Sequence, residues 1–368
     1  MDLPDFSPAE FDVAPLERAE TIPSTWYCHP GYHDLDLKFI HHRTWQYIGH
    51  ESRLSQTGSH VIGTAGSNPV IVVRNAEGRL HAFYNVCRHR GGPLALEDGC
   101  AKALQCKYHG WTYTLDGHLR GVPKFDRSEL FDKKDYGLIP LHLAVWQGLV
   151  FVHLSTDPVD PLEKTMEGIS ERIDPIHLSK LSFYKRITYE VACNWKVYVD
   201  NYLEGYHLPF VHPELTTLLD YQSYVTETHA HYSLQYSPIA LQDSIYNTEG
   251  GGKAFYYFVY PNFMLNILPN RLQTNAVIPM AYDRCRVIFD YYYDDVKSPE
   301  AVRRAEDDLA YSDKVQAEDI EICEYVQRGL RSDGYSKGRF SPDLESGVYH
   351  FQCLLKKSYA QAYRESVA

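Results

Sequence analysis

Cys87-Arg88-His89-Arg90-Gly91-Gly92 and, after sixteen residues intervening beyond His89, Cys106-Lys107-Tyr108-His109-Gly110-Trp111 decide how this chain is read. Each stretch carries one thiol and one imidazole, spaced C-x-H in the first and C-x2-H in the second. Two loops of this kind can close on one centre, with two thiolates for one metal ion and two imidazoles for another. Gly91 and Gly92 allow the close backbone approach that such a centre needs if it is to accept N–H hydrogen bonds, and Trp111 is placed to lid it.

A structural zinc ion also takes two Cys and two His, but zinc sites usually pair like ligands as C-x2-4-C and H-x3-5-H. One ligand of each kind on each loop suits a Rieske 2Fe-2S cluster instead. Working outward, Val70 to Arg74 and Leu80 to Val86 read as strands joined by the turn Asn75-Ala76-Glu77-Gly78, and they lead into the first loop. Trp111 to Leu115 leaves the second loop as a strand and turns at Asp116-Gly117, while Val145 to Leu154 reads as one more apolar strand. The cluster is therefore expected at the tips of a small antiparallel sheet.

The chain of 368 residues is long enough for two or three domains. Residues 1–37 mix Pro, Asp and aromatics and read as a segment packing on the later domain, with Leu35 to Trp45 helical in pattern. Residues 38–155 form the cluster domain, and the polar, proline-bearing stretch from Ser155 to Pro161 marks the boundary. In the remainder, 156–368, a helical pattern runs from Leu162 to Ile173. Strands follow at Ala254 to Tyr260 and Arg286 to Tyr293, and a long helix opens at Ser298-Pro299-Glu300, where Ser caps and Pro takes the first turn. A net charge of -12 lacks the basic footprint of a nucleic-acid binder or a polybasic membrane patch. The first residues lack the basic and apolar regions of a signal peptide, and no apolar run reaches membrane-spanning length, so a cytoplasmic location is expected. The six cysteines outside the two loops show no framework spacing and read as reduced thiols.

A second concentration of chemistry lies between Asn194 and Pro213. Glu204 and His207 are three apart, as on one helical face, and Pro209 should end that helix so that His212 can swing back toward a metal held by His207. Two imidazoles and one carboxylate would complete a facial triad. The acid is sought in the stretch Gln316 to Leu330, where Asp319 shares a helical stripe with Cys323, Val326 and Leu330. Glu318 is the substitute.

These motifs together, C-x-H-x16-C-x2-H followed by Asn201-Tyr202-Leu203-Glu204-Gly205-Tyr206-His207 and His212, resemble the catalytic alpha subunit of a Rieske non-heme iron oxygenase. The likeness runs through most of the chain, and within that family it is most similar to the branch acting on quaternary ammonium compounds such as choline, betaines and carnitine. Glu318-Asp319-Ile320, Val326-Gln327-Arg328-Gly329-Leu330 and Gly334-Tyr335 resemble that branch's C-terminal pattern. The resemblance implies an α+β architecture: a small antiparallel β Rieske domain on a helix-grip (Bet v1/START-like) catalytic domain with an antiparallel sheet and a long C-terminal helix. It implies Cys87 and Cys106 on one cluster iron, His89 and His109 on the other, and His207, His212 and Asp319 on mononuclear Fe(II). It further implies a head-to-tail homotrimer in which an acid bridges the Rieske histidine of one subunit to an iron-ligating histidine of the next. Glu204 matches that position, with Asp200 one turn earlier as the fallback. Many ring-hydroxylating relatives carry Asp there, and Lys107 stands where a Pro is common.

The expected activity is O2 activation and hydroxylation of a small organic substrate, with N-demethylation or C–N/C–H oxidation of a quaternary ammonium compound preferred. Attack on an N-methyl carbon would release formaldehyde. The competing readings are an aromatic mono- or dioxygenase and, more remotely, a non-catalytic Rieske electron carrier, which would not need some two hundred further residues. No dinucleotide fingerprint is present, so NAD(P)H must deliver electrons through a separate reductase, with or without a ferredoxin. Thirty tyrosines suit an aromatic cage for a cation, although Phe255 to Tyr260 and Tyr291 to Tyr293 read first as strand packing. Tyr202, Phe258, Tyr260, Asn262 and Met264 are the substrate-pocket candidates.

Overall fold

The computed structural model describes residues 7–213, 224–239 and 253–367. They divide into two compact units, one within residues 41–163 and the other within residues 1–40 and 164–368.

The smaller unit is built from β1 (Gln46–His50), β2 (Ser59–Ala65), β3 (Asn68–Arg74), β4 (Leu80–Tyr84), β5 (Gly99–Cys100), β6 (Leu104–Gln105), β7 (Thr112–Tyr113), β8 (Leu119–Gly121), β9 (His142–Trp146) and β10 (Leu149–His153). They form three antiparallel sheets, ordered β4-β3-β2-β5, β1-β10-β9 and β6-β7-β8. The unbroken apolar run Val70-Ile71-Val72-Val73 is fully buried because successive side chains serve opposite faces. Val70 and Val72 join the core with Ile48 and Val150, while Ile71 and Val73 join the core beneath the two Cys-His loops. The expected single strand from Val145 to Leu154 is instead the hairpin β9–β10, turning at Gln147-Gly148. Both turn residues have positive φ, which matches the twist of the flanking strands.

The larger unit holds β11 (Ser182–Val191), β12 (Val225–Thr228), β13 (Tyr232–Pro238), β14 (Lys253–Val259), β15 (Phe263–Leu268), β16 (Arg271–Ala281) and β17 (Arg284–Tyr293). They make one antiparallel sheet ordered β11-β17-β16-β15-β14-β13-β12. The long helix Pro299–Leu330 starts as its sequence predicts, with the Ser298 hydroxyl accepting from the Ala301 amide at 3.3 Å and Pro299 in the first turn. The helical pattern from Leu162 to Ile173 is realised as two short helices, Leu162–Thr165 and Ile169–Ile173. Leu35 to Trp45 is likewise not one helix: a helix ends at Leu35, a π-helical turn (Asp36–Ile40) and a 3-10 turn (His41–Arg43) follow, and β1 begins at Gln46.

The N-terminal segment is tied into this unit by a buried charge pair. Asp36 and Lys196 are both fully buried and bonded to each other, and Asp36 also accepts from Trp195 Nε1 at 2.8 Å and from the Tyr359 hydroxyl. Burial holds the Lys196 amine below its ordinary pKa, with Asp36 opposing that pull. Removing one member would strand the other, a cost of about 3–5 kcal/mol. This pair fixes the helix Trp195–Tyr202, which presents the residues of the second site.

Candidate metal centres and substrate cavity

The two Cys-His loops share one backbone plan. Cys87 N–H donates to Gly92 O at 2.8 Å and Gly91 N–H to Cys87 O at 3.0 Å; Cys106 N–H donates to Trp111 O at 2.8 Å and Gly110 N–H to Cys106 O at 3.1 Å. A third bond, Lys107 N–H to Pro93 O at 3.0 Å, joins the loops. Both cysteines are buried, at 2% and 4% exposure, and the His89 and His109 rings lie 4.8 Å apart edge to face. His89 Nδ1 is buried without a hydrogen-bond partner, a nitrogen that metal ligation would satisfy. At Gly92 a Cβ would stand 2.9 Å from Cys106 Sγ, so only glycine lets this loop close on the thiols. The Tyr113 hydroxyl sits 3.3 Å from Cys87 Sγ and accepts from Arg88 N at 3.0 Å. Trp111 stacks on the His89 ring at 4.8 Å, 2% exposed, while His109 faces solvent. The donor set and the cradle fit a Rieske cluster, with an imidazole edge at the surface through which electrons can leave.

The second centre is assembled from three elements. The helix Trp195–Tyr202 stops before Glu204, so Glu204 and His207 do not share a helical face as the spacing suggested. Glu204 instead sits in the turn, where Oε2 accepts from the amides of Tyr206 and His207 and Oε1 lies 2.7 Å from His207 Nδ1. Pro209 opens the short helix Leu208–Val211, and His212 caps its end, which brings the two imidazoles to 5.3 Å between ring centres. Asp319 comes from the long helix: His212 Nε2 is 3.0 Å and His207 Nε2 3.9 Å from its Oδ1, and ligating atoms of the three residues all lie within 4.8 Å of one another. Nitrogen and oxygen ligands each about 2.1 Å from one ion stand about 3–4 Å apart, which the two His–Asp separations match, so the group is placed for a single metal ion.

Each ligand candidate is oriented by a neighbour. Glu204 holds His207 Nδ1, Glu318 holds His212 Nδ1 at 2.7 Å, and Asn201 Nδ2 donates to Asp319 Oδ1 at 2.6 Å. A carboxylate only accepts, so it places the proton on Nδ1 and turns the Nε2 lone pair inward. Burial pulls the His212 imidazole down, yet Asp319 and Glu318 together leave it above its ordinary pKa. Glu318, the substitute ligand of the sequence reading, is thus a supporting residue one position from Asp319. Asp200 points elsewhere: it accepts from the Tyr27 hydroxyl at 2.6 Å and lies 3.3 Å from Gln352 Nε2. Loss of water pushes its carboxyl up to about 7, against the pull of Tyr27, Gln352 and Lys196.

Beside the triad lies a cavity of about 150 Å³. Its floor is one face of the sheet, where register aligns Gln235 with Tyr256, Tyr256 with Asn266, Asn266 with Gln273 and Asn275 with Phe289. The helix Trp195–Tyr202 and the long helix supply Tyr198, Tyr202, Tyr311 and Gln316. Tyr202 lines it, its hydroxyl donating to Asn266 Oδ1 at 2.6 Å. Phe258, Tyr260, Asn262 and Met264 do not line it. Phe258 and Met264 share the floor's face but lie further along the strands, buried in the core where Phe258 meets Phe351 of the C-terminal helix Ser346–Val367. The Tyr260 hydroxyl pairs with Ser358, and Asn262 Nδ2 donates to Val277 O. Sequence reading missed Tyr256, Arg271, Gln273, Tyr311 and Gln316. For the helical pair the signal was present, since Tyr311 and Gln316 precede Asp319 at spacings that keep one helical face.

Comparison with known proteins agrees with this geometry. Residues 44–141 match the Rieske [2Fe-2S] domain family, and residues 178–361 match the ring hydroxylating alpha subunit (catalytic domain) family. The chain belongs to the Rieske ring-hydroxylating oxygenases, as a catalytic alpha subunit. Its cofactors are a Rieske 2Fe-2S cluster and mononuclear iron, used with O2, and its reductase is a separate protein. Among relatives, a chloroplastic choline monooxygenase of Arabidopsis thaliana is 36% identical over 94% of this chain and 85% of its own length. A carnitine monooxygenase oxygenase subunit of Escherichia coli is 29% identical over 97% and 98%. The solved quaternary ammonium Rieske monooxygenase CntA, in an inhibitor complex, superposes with a TM-score of 0.88 at 26% identity, covering 97% of this chain and 99% of that one. Naphthalene 1,2-dioxygenase shares the fold at 20% identity and a TM-score of 0.76, covering 93% and 94%.

Proposed function

We propose that this oxygenase oxidises a quaternary ammonium compound, bound in the cavity beside His207, His212 and Asp319. The lining carries the reading. Six aromatic residues, Tyr198, Tyr202, Tyr224, Tyr256, Phe289 and Tyr311, face the space, and ring faces attract a cation. Burial pushes the Tyr256 phenol up to about 12, so it stays neutral. Among the described lining residues Arg271 is the one Lys or Arg, and its charge is met by Asp308 at 2.6 Å and Gln273 at 2.7 Å. Glu204 and Asp319 add negative charge. The polar floor of Gln235, Asn266, Gln273 and Asn275 suits a polar substrate better than an aromatic hydrocarbon.

Cys87 and Cys106 with His89 and His109 hold the cluster in this reading, and His207, His212 and Asp319 hold the iron. When bound, these groups supply single electrons and the activation of O2. Glu204 fixes His207 through Nδ1 and is the acid through which a neighbouring subunit's exposed cluster histidine connects in a head-to-tail homotrimer. Electrons come from NAD(P)H by way of the separate reductase, with or without a ferredoxin. Among the described residues no helix is long and apolar enough to cross a membrane. The six cysteines outside the cluster loops form no disulfide, in keeping with the expected cytoplasmic location.

The test is a single turnover of reduced, iron-loaded holoenzyme with choline, carnitine, glycine betaine and simple aromatic acids, following aldehydes and hydroxylated products after O2 is added. Oxidation of an ammonium compound is expected. Turnover of an aromatic acid alone would move the protein to the ring-hydroxylating activity.

A further inference from the structure

We infer that Cys193 and Cys285 are a modification site, a thiol pair that closes to a disulfide when hydrogen peroxide is released in the neighbouring substrate cavity. The inference rests on the oxygenase chemistry of the chain and on no particular substrate. β11 ends at Val191, which pairs with Cys285 of β17, and two residues later Cys193 places its sulfur 4.0 Å from that of Cys285. Both are fully buried, and Cys323 of the long helix, 1% exposed, packs in the same core. The two sulfurs must approach by about 2 Å to bond, a movement on the scale of side-chain rotation.

Buried thiols are ordinarily inert, and two features set this pair apart. The first is its asymmetry. Cys193 stands directly before Asn194, the cap of the helix Trp195–Tyr202, where the positive end of the peptide dipoles favours a thiolate. The S–H groups of Cys285 and Cys323 hold the Cys193 thiol below its ordinary pKa, against burial. Contact with Cys193, and then burial, pushes those two thiols above theirs. Cys193 is thus the nucleophile and Cys285 the resolving thiol. The second feature is the source of oxidant. Tyr198 and Phe289 line the substrate cavity and pack in one core with the three cysteines. Cys323 follows Asp319 by one helical turn, about 6 Å along the axis. When O2 takes up two electrons and two protons without oxidising substrate, the product is hydrogen peroxide. The Cys193 thiolate attacks one peroxide oxygen, the O–O bond breaks, and the departing oxygen takes a proton and leaves as water. The sulfenic acid left on Cys193 is attacked by the Cys285 sulfur; its S–O bond breaks, and the hydroxyl leaves with the Cys285 proton as a second water. Two thiols are oxidised by two electrons, and one peroxide is reduced to two waters.

Holoenzyme reduced with dithionite and desalted anaerobically would be exposed to O2 without substrate, quenched in acid, alkylated and mapped by non-reducing peptide mass spectrometry. Cys193 and Cys285 are expected to lose alkylation together and to appear as one linked species, while the partly exposed Cys28 and Cys353 keep theirs. Dithiothreitol should restore both thiols. Oxidised holoenzyme, which has no electrons to give O2, should stay unlinked in O2 and link when hydrogen peroxide is added. In Cys285→Ala the link should be lost and Cys193 should advance to the sulfinic acid, which dithiothreitol does not reverse. The wild-type map decides the matter even if that variant folds poorly. Two intact thiols after both O2 and peroxide, or a link made to Cys323 instead of Cys285, would overturn the inference. Linking by added peroxide, with none from reduced protein and O2, would overturn the cavity as the source.

Discussion

The two metal centres are built in opposite ways. The first is a local motif: its four ligand candidates lie between Cys87 and His109, on two loops whose backbone bonds repeat each other. The second draws on a turn, the end of a short helix and a long helix far along the chain, and every ligand candidate is aimed by a side chain of its own. A centre of the first kind is held by the backbone bonds of its own two loops together with the metal they close on. One of the second kind depends on the packing of separate elements that bring its residues together.

The largest effects should separate the two. Cys106→Ser should abolish activity, bleach the cluster's visible absorption and lower the melting temperature. Asp319→Ala should abolish activity as completely yet keep the absorption and melt within a few degrees of wild type. An Asp319→Ala protein that bleaches or unfolds would end the distinction. Next in size, Glu204→Gln should lower turnover about 10–100-fold, the usual cost of losing a group that orients a metal-bound His. Iron and cluster content should stay near wild type, and added Fe(II) should not restore the rate. Glu318→Ala tests the same kind of support on His212. Iron affinity should fall by roughly tenfold, and excess Fe(II) should recover most of the activity. If the two variants respond alike to Fe(II), Glu204 has no role beyond aiming its imidazole.

The smallest effect concerns Asp200, which the fold withdraws from both centres. Its carboxyl titrates at about 7 in the folded chain, against an ordinary value of 3.8. Between these values the folded state holds a proton that the unfolded state has released, so Asp200's contribution to stability is present below about pH 4 and is lost as pH rises toward 7. Asp200→Asn should flatten that part of the pH–melting profile. An unchanged slope would mean the carboxyl is ionised throughout.

The cluster motif was legible because its ligands are close in sequence and its glycines and spacing are local requirements. His207, His212 and Asp319 were found as candidates for a weaker reason: Pro209, expected to end a helix, instead opens the short helix Leu208–Val211 whose end His212 caps, and helical periodicity turns Asp319 inward. That periodicity was only partly realised, since Cys323 is buried but Val326 is 44% exposed and Gln327 takes the inner position. The cavity was not legible. Tyr256 and Phe258 project to the same face of one strand, and nothing in their order says that one meets open space and the other the Phe351 ring.

By itself the sequence determined the two Cys-His loops and the helix cap at Ser298, because each depends on neighbours within a few residues, and its motifs together pointed to an oxygenase with two iron centres. Tertiary structure alone decided which acid supports which imidazole, that Asp200 pairs with Tyr27, and where along the sheet a substrate fits. Those outcomes depend on strand register and on the seating of two helices, and register is set by packing summed over the whole sheet.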